Sequence, residues 1–229
     1  MKWLIWKEYR LNRLVLIVGA VLLVAPHAAA LVLALRGVGL QVRGGLLLQL
    51  SGNLMVSGLY GMLLSQLTLA LLGGHAIACE RADRSAEFLA YLPVARTRIL
   101  AGKIALALVT VALIWIPNLL IVRWAMAGLP EQGPRFYADI WSAFWTLVIT
   151  GLAAFCVAWL LSSFLESPTF SICGGLVTPW LVLMALAFLV WWFEWPEQVI
   201  FLGYSITCLV LGPACFAAGT WHYLRRVEP

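Results

Sequence analysis

The sequence predicts an all-α, polytopic membrane protein with six transmembrane helices. Three observations carry that expectation. The 229 residues are 63% hydrophobic and only 11% charged, whereas a soluble domain carries about 25% charged residues. The apolar residues come in runs as long as the roughly 20 that a helix needs to cross a bilayer. Stretches such as IALALVTVALIWI, residues 104–116, lack the apolar–polar alternation of a membrane β-strand.

The first span is Leu14–Leu35. Basic residues precede it and Ala28-Ala29-Ala30 has the look of a signal-peptide cleavage site. The run is longer than the roughly 7–15 residues of a signal core, so it reads as a retained span. The second lies within Leu46–Cys79, placed at Asn53–Ala78 with a short outer segment before it. The third is Ile99–Val122, the fourth Ile140–Leu161, the fifth Thr169–Phe193 and the sixth Gln198–Trp221. Pro26, Pro117, Pro179 and Pro213 fall inside spans, where each removes one backbone donor. Trp3, Trp6, Trp191, Trp192, Trp195 and Trp221 sit near span ends, as interfacial anchors do. The longest outer loop, Arg123–Asp139, carries the turn residues Gly128, Pro130, Gly133 and Pro134 and is too short to fold alone, so the chain is read as one domain, 1–229.

Charge sets the orientation. With both termini cytoplasmic, the inner side holds Lys2, Lys7, Arg10, Arg13, Arg81, Arg84, Arg96, Arg98, Lys103, Arg225 and Arg226. The outer side holds only Arg36, Arg43, Arg123 and Arg135. That asymmetry follows the positive-inside rule for a cell (inner or cytoplasmic) membrane. It also accounts for the net charge of +5 without a nucleic-acid partner; the expected surroundings are membrane lipids.

One stretch breaks the apolar pattern. Residues 78–98, ACERADRSAEFLAYLPVARTR, contain seven charged side chains. Each would cost about 2.5–3.5 kcal/mol at a membrane centre. The stretch is therefore expected outside the hydrocarbon. Glu80 and Arg84 stand four apart, as do Asp83 and Glu87 with Arg84 between them, so opposite charges adjoin on a helix surface. Pro93 ends that helix. The expectation is a short amphipathic helix, residues 80–92, on the cytoplasmic face. Read from the residues alone, it is either an ordinary interfacial helix or a docking element for a cytoplasmic partner.

The run from Glu80 to Lys103, E-R-x-x-R-S-x-E-x-L-x-x-L-P-V-x-R-x-x-I-L-x-G-K, resembles the signature of type-2 ATP-binding-cassette (ABC) transporter permeases. Arg84 stands where that signature usually has glycine. The N-terminal WKEYRLNR, within residues 1–13, resembles the elbow helix that lies along the cytoplasmic leaflet in that family. The resemblance implies that residues 80–92 are a coupling helix seated on a separate ATPase subunit. Glu80, Arg81, Asp83, Arg84, Glu87, Phe88, Leu92, Pro93 and Arg96 would carry that contact, with the turn Ser162–Pro168 as a second one. It further implies a permease subunit of an exporter, working with a second permease copy or a paralogue. A non-transporting membrane anchor or assembly scaffold is the alternative.

Catalytic motifs are missing from the sequence. There is no G-x-x-x-x-G-K-[ST]: Gly73-Gly74 lacks the lysine and Gly102-Lys103 lacks both flanks. The chain is accordingly not expected to be an enzyme by itself, and ATP and Mg²⁺ would bind the partner subunit. HExxH and GxSG are also absent. His27, His75 and His222 are scattered, and Cys79, Cys156, Cys173, Cys208 and Cys215 lack zinc-like spacing. Both sets read as packing residues, with no metal and no cofactor in this chain. The second span is the most polar. Its Asn53, Ser57, Gly61, Ser65 and Gln66 form either a translocation lining or a close-packing face, including a dimer face.

Overall fold

A computed structural model describes residues 2–36, 46–82, 95–129, 133–196 and 198–226. Among the described residues there are seven helices and no strand: α1 (Lys2–Leu11), α2 (Arg13–Leu35), α3 (Leu46–Ala82), α4 (Arg96–Ala127), α5 (Pro134–Phe164), α6 (Pro168–Trp192) and α7 (Gln198–Arg226). Helices α2 to α7 are each long and apolar enough to cross a membrane. Helix is the form these residues must take there, because only a helix satisfies every backbone donor and acceptor within one segment.

Four spans, α3, α4, α5 and α7, run well past their expected ends. Helix α3 is unbroken over 37 residues, about 55 Å at 1.5 Å per residue. The segment before Asn53 is therefore its first two turns rather than a separate piece. At its other end Glu80 and Arg81 continue the same helix instead of opening a new one. Helix α4 starts at Arg96, and α5 takes in residues 134–139 from the outer loop. Polar residues stay helical at these ends because the backbone bonds close within the helix whatever surrounds it. Residues 83–94, which hold most of the expected coupling helix, lie outside the described residues.

Helix α6 closes without the usual glycine. The N–H of Trp195 donates to the carbonyl of Val190, and that of Glu194 to Trp191. This is the Schellman pattern, and it puts Glu194 at φ 52°. An L side chain there costs about 1–2 kcal/mol. Glu194→Gly is therefore expected to raise the thermal midpoint of the purified chain by about 2–4 °C, measured in detergent. A lowered midpoint would count against this end geometry.

The chain divides into two compact units. One comprises residues 16–65 and 110–148. Its core is Met55, Met62, Val122, Ala125, Met126, Leu129, Phe144 and Val148, drawn from α3, α4 and α5. Glycines let the helices close up. A Cβ on Gly58 would lie 2.5 Å from Val122 Cγ2, and one on Gly61 would lie 2.7 Å from Asn118 Oδ1.

The other comprises residues 1–15, 66–109 and 149–229. Helices α6 and α7 pack together in it. Ala153, Tyr204 and Cys208 form a small core with Val182, Leu183 and Leu186. The Tyr204 hydroxyl hydrogen-bonds Thr150 Oγ1 at 2.7 Å. Trp159, fully buried, lies against Phe216 with ring centres 5.3 Å apart.

Candidate functional site

Two polar clusters stand out, one in each unit. The first gathers Lys7 and Glu8 from α1, Glu80 from α3 and Lys103 from α4. The Lys103 ammonium lies 3.1 Å from Glu80 Oε1 and 3.3 Å from Glu8 Oε1. It also donates to Glu8 Oε2 at 3.4 Å. Lys7 donates to Glu80 Oε1 at 2.8 Å. Glu8, Glu80 and Lys103 are 2%, 4% and 5% exposed, so this is an interior cluster rather than a solvated one. Two cations face two carboxylates, and the group is neutral as a whole. Charges withdrawn from water survive only when paired in this way.

Burial pushes the Glu8 carboxyl above its ordinary value; the ammonium of Lys103 offsets part of that and the Glu80 carboxylate adds to it.

The site residues expected from the sequence divide accordingly. Glu80 is described and points into the ionic cluster, not onto a docking surface. Arg81 donates to the backbone carbonyl of Ser163, next to the Ser162–Pro168 turn. Arg96 is half-buried and opens α4. Asp83, Arg84, Glu87, Phe88, Leu92 and Pro93 lie outside the described residues. Glu80 and Lys103, the first and last residues of the signature-like run, are the two that the fold brings into contact. Sequence reading missed Lys7 and Glu8 as members of the site. The only hint was a carboxylate inside an otherwise basic N-terminal segment.

The second cluster is centred on His27 of α2. Its Nδ1 lies 2.8 Å from Ser57 Oγ, and its Nε2 lies 3.2 Å from Asn118 Oδ1. Asn118 is fully buried and donates through Nδ2 to the Ile114 carbonyl. That leaves its Oδ1 to accept, so a neutral His27 carries its proton on Nε2. Ser57 Oγ also lies 2.9 Å from the Leu54 carbonyl, so its single hydroxyl proton serves one of these two contacts at a time.

Of the expected second-span residues, Ser57 belongs to this network and Gly61 gives room to Asn118. Ser65 donates to the Met62 carbonyl. Asn53 and Gln66 are buried with side-chain amide nitrogens that have no hydrogen-bond partner among the described residues. The close neighbour that Gly58 and Gly61 admit is α4 of the same chain. Neither His27 nor Asn118 could be assigned from sequence, because each is a lone polar residue in an apolar run.

The fold defines a class, that of multi-pass helical membrane proteins. Beyond that class, the chain matches no family model, no curated protein and no solved structure.

Proposed function

We propose that this chain is the membrane-spanning permease subunit of an ABC transporter, working as an exporter in the cell membrane with both termini cytoplasmic. A separate ATPase subunit would bind ATP and Mg²⁺, and a second permease copy or a paralogue would complete the membrane part. The signature-like run from Glu80 to Lys103 motivates the reading. One observation carries it further: the two residues that bracket segment 83–94 are ion-paired to each other and to α1. Force applied to that segment by a partner would reach the ends of α3 and α4 together instead of being absorbed by independent helices. Glu80 then serves to anchor the segment, and the partner contact falls to residues 83–92, with Asp83, Arg84 and Glu87 as its charged members.

The test separates docking from anchoring. Glu87→Lys is expected to abolish co-purification with the ATPase and ATP-driven efflux, while leaving the thermal midpoint of the chain unchanged. Glu80→Lys is expected to lower that midpoint instead. A scaffold would retain the ATPase yet show no ATP-driven movement in sealed vesicles. An epitope tag at residues 84–92 that is reached only from outside the cell would overturn the proposal.

A further inference from the structure

A groove of about 520 Å³ opens between α2 and α3 within the unit of residues 16–65 and 110–148. This lies inside the roughly 300–1,000 Å³ range of small-molecule sites. Its α2 wall is made of small side chains around Pro26 and Ala29. Its α3 wall presents Asn53, Ser57, Tyr60 and Leu64, one face of the helix at successive turns. The lining is almost wholly apolar, with one unmet polar demand. Asn53 is 8% exposed; its Nδ2 is buried and has no hydrogen-bond partner among the described residues, and a turn of the amide about its soft terminal torsion brings it to the groove. Ser57 is already engaged by His27 and the Leu54 carbonyl, so that wall is fixed from behind.

A donor buried in an apolar groove selects a ligand with an acceptor on an apolar body. Position narrows the class. Asn53 lies seven residues from the start of α3 at Leu46, about 10 Å along the helix. The polar layer on each side of the hydrocarbon is about 5–8 Å deep. With the start of α3 at the outer edge of that layer, Asn53 falls where acyl ester carbonyls meet the chains. Tyr60, 57% exposed, marks the open side of the groove, by which a molecule in the bilayer plane would enter.

We propose that this groove binds an ester-linked membrane lipid drawn from the surrounding bilayer, its acyl chain along Pro26–Leu33 and its ester carbonyl accepting from Asn53 Nδ2. Binding of this kind does not depend on transport.

The probes are a phosphatidylcholine with a diazirine on one ester-linked acyl chain and its ether-linked counterpart, which lacks the carbonyl. Each is added to the purified full chain in lipid nanodiscs, irradiated, and the label mapped by mass spectrometry. The ester probe is expected to label peptides covering residues 25–33 and 53–64. One hydrogen bond between polar groups in a membrane is worth about 0.6–1.7 kcal/mol, so Asn53→Leu is expected to reduce that label about three- to twentyfold. The ether probe is expected to label the unaltered chain only as weakly as the ester probe labels the variant. Ala29→Trp fills the groove without touching Asn53 and is expected to remove the label at an unchanged thermal midpoint. Equal labelling by both probes, label retained in Ala29→Trp, or cross-linking of a second copy of the chain at Tyr60 in place of lipid would each overturn the proposal.

Discussion

Lys103→Met is expected to lower the thermal midpoint of the chain by about 10 °C. Methionine matches the lysine stem in length and apolar character, so packing is nearly preserved. What is lost is the ammonium that faces both Glu8 and Glu80. Lys7 still neutralises Glu80 at 2.8 Å, but Glu8 is left buried with no ion pair of its own, Lys7 acting on it only at longer range. Removing one member of a buried ion pair costs about 3–5 kcal/mol, against a total stability of about 5–15 kcal/mol for a typical domain.

Glu8→Gln alone is expected to be mild. Burial already disfavours that charge, and the amide oxygen still accepts from Lys103. The double variant Lys103→Met/Glu8→Gln keeps the Lys7–Glu80 pair intact and neutralises the orphan, so it is expected to recover most of the lost stability.

The pH dependence follows from the raised value of Glu8. A carboxyl whose folded value is raised favours folding when protonated, and that contribution is lost as pH rises through the folded value. In Lys103→Met the lowering influence of the ammonium is gone and the value rises further. Acidic buffer is therefore expected to restore part of the stability of Lys103→Met and to leave the double variant unaffected. Thermal midpoints in detergent at neutral and acidic pH decide this. A single variant as stable as the unaltered chain, or a double variant no better than the single, would show that the cluster does not hold α1 in place.

The same cluster explains what was legible in the sequence and what was not. The spans could be read because hydropathy is a local property, and α2 begins within one residue of the expected Leu14. The end of α3 could not. Counting charges assigns each of Glu80 and Arg81 its full cost in hydrocarbon, which places a boundary before them. In the fold Glu80 meets two ammonium groups and Arg81 a carbonyl, and paired groups no longer mark the edge of the helix. The partners come from 73 and 23 residues away in sequence, so no local pattern announces them. His27 poses the same difficulty. Its partners Ser57 and Asn118 belong to two other helices, and each residue alone looks like an isolated polar position in an apolar run.

Glycine substitutions test the helix packing itself, and they are expected to differ in sign. In a helix interior alanine is favoured over glycine by about 0.8–1 kcal/mol. At Gly203 of α7 nothing opposes that gain, because a Cβ would first meet a Leu186 methyl carbon at 3.8 Å, ordinary contact. Gly203→Ala is expected to be neutral or stabilising. At Gly73 of α3 the new Cβ would lie 2.5 Å from the Phe155 carbonyl oxygen and 3.1 Å from both Ala158 Cβ and the Trp159 amide nitrogen. Two of those three atoms are backbone, so no rotamer change relieves the clash, and α3 and α5 must separate. Overpacking costs about 1–3 kcal/mol where side chains can adjust, and more where they cannot. That outweighs the helix-propensity gain. Gly175 of α6 behaves alike, with a Cβ 2.7 Å from the Ala154 carbonyl oxygen. Small residues at such crossings are what association within a bilayer requires, since lipid tails leave no hydrophobic force between helices and close packing has to supply the attraction. Gly73→Ala is therefore expected to lower the thermal midpoint by several degrees and Gly73→Val to prevent recovery of monodisperse chain, with Gly203→Ala as the matched control. If Gly73→Ala and Gly203→Ala behave alike, α3 does not cross α5 at Gly73.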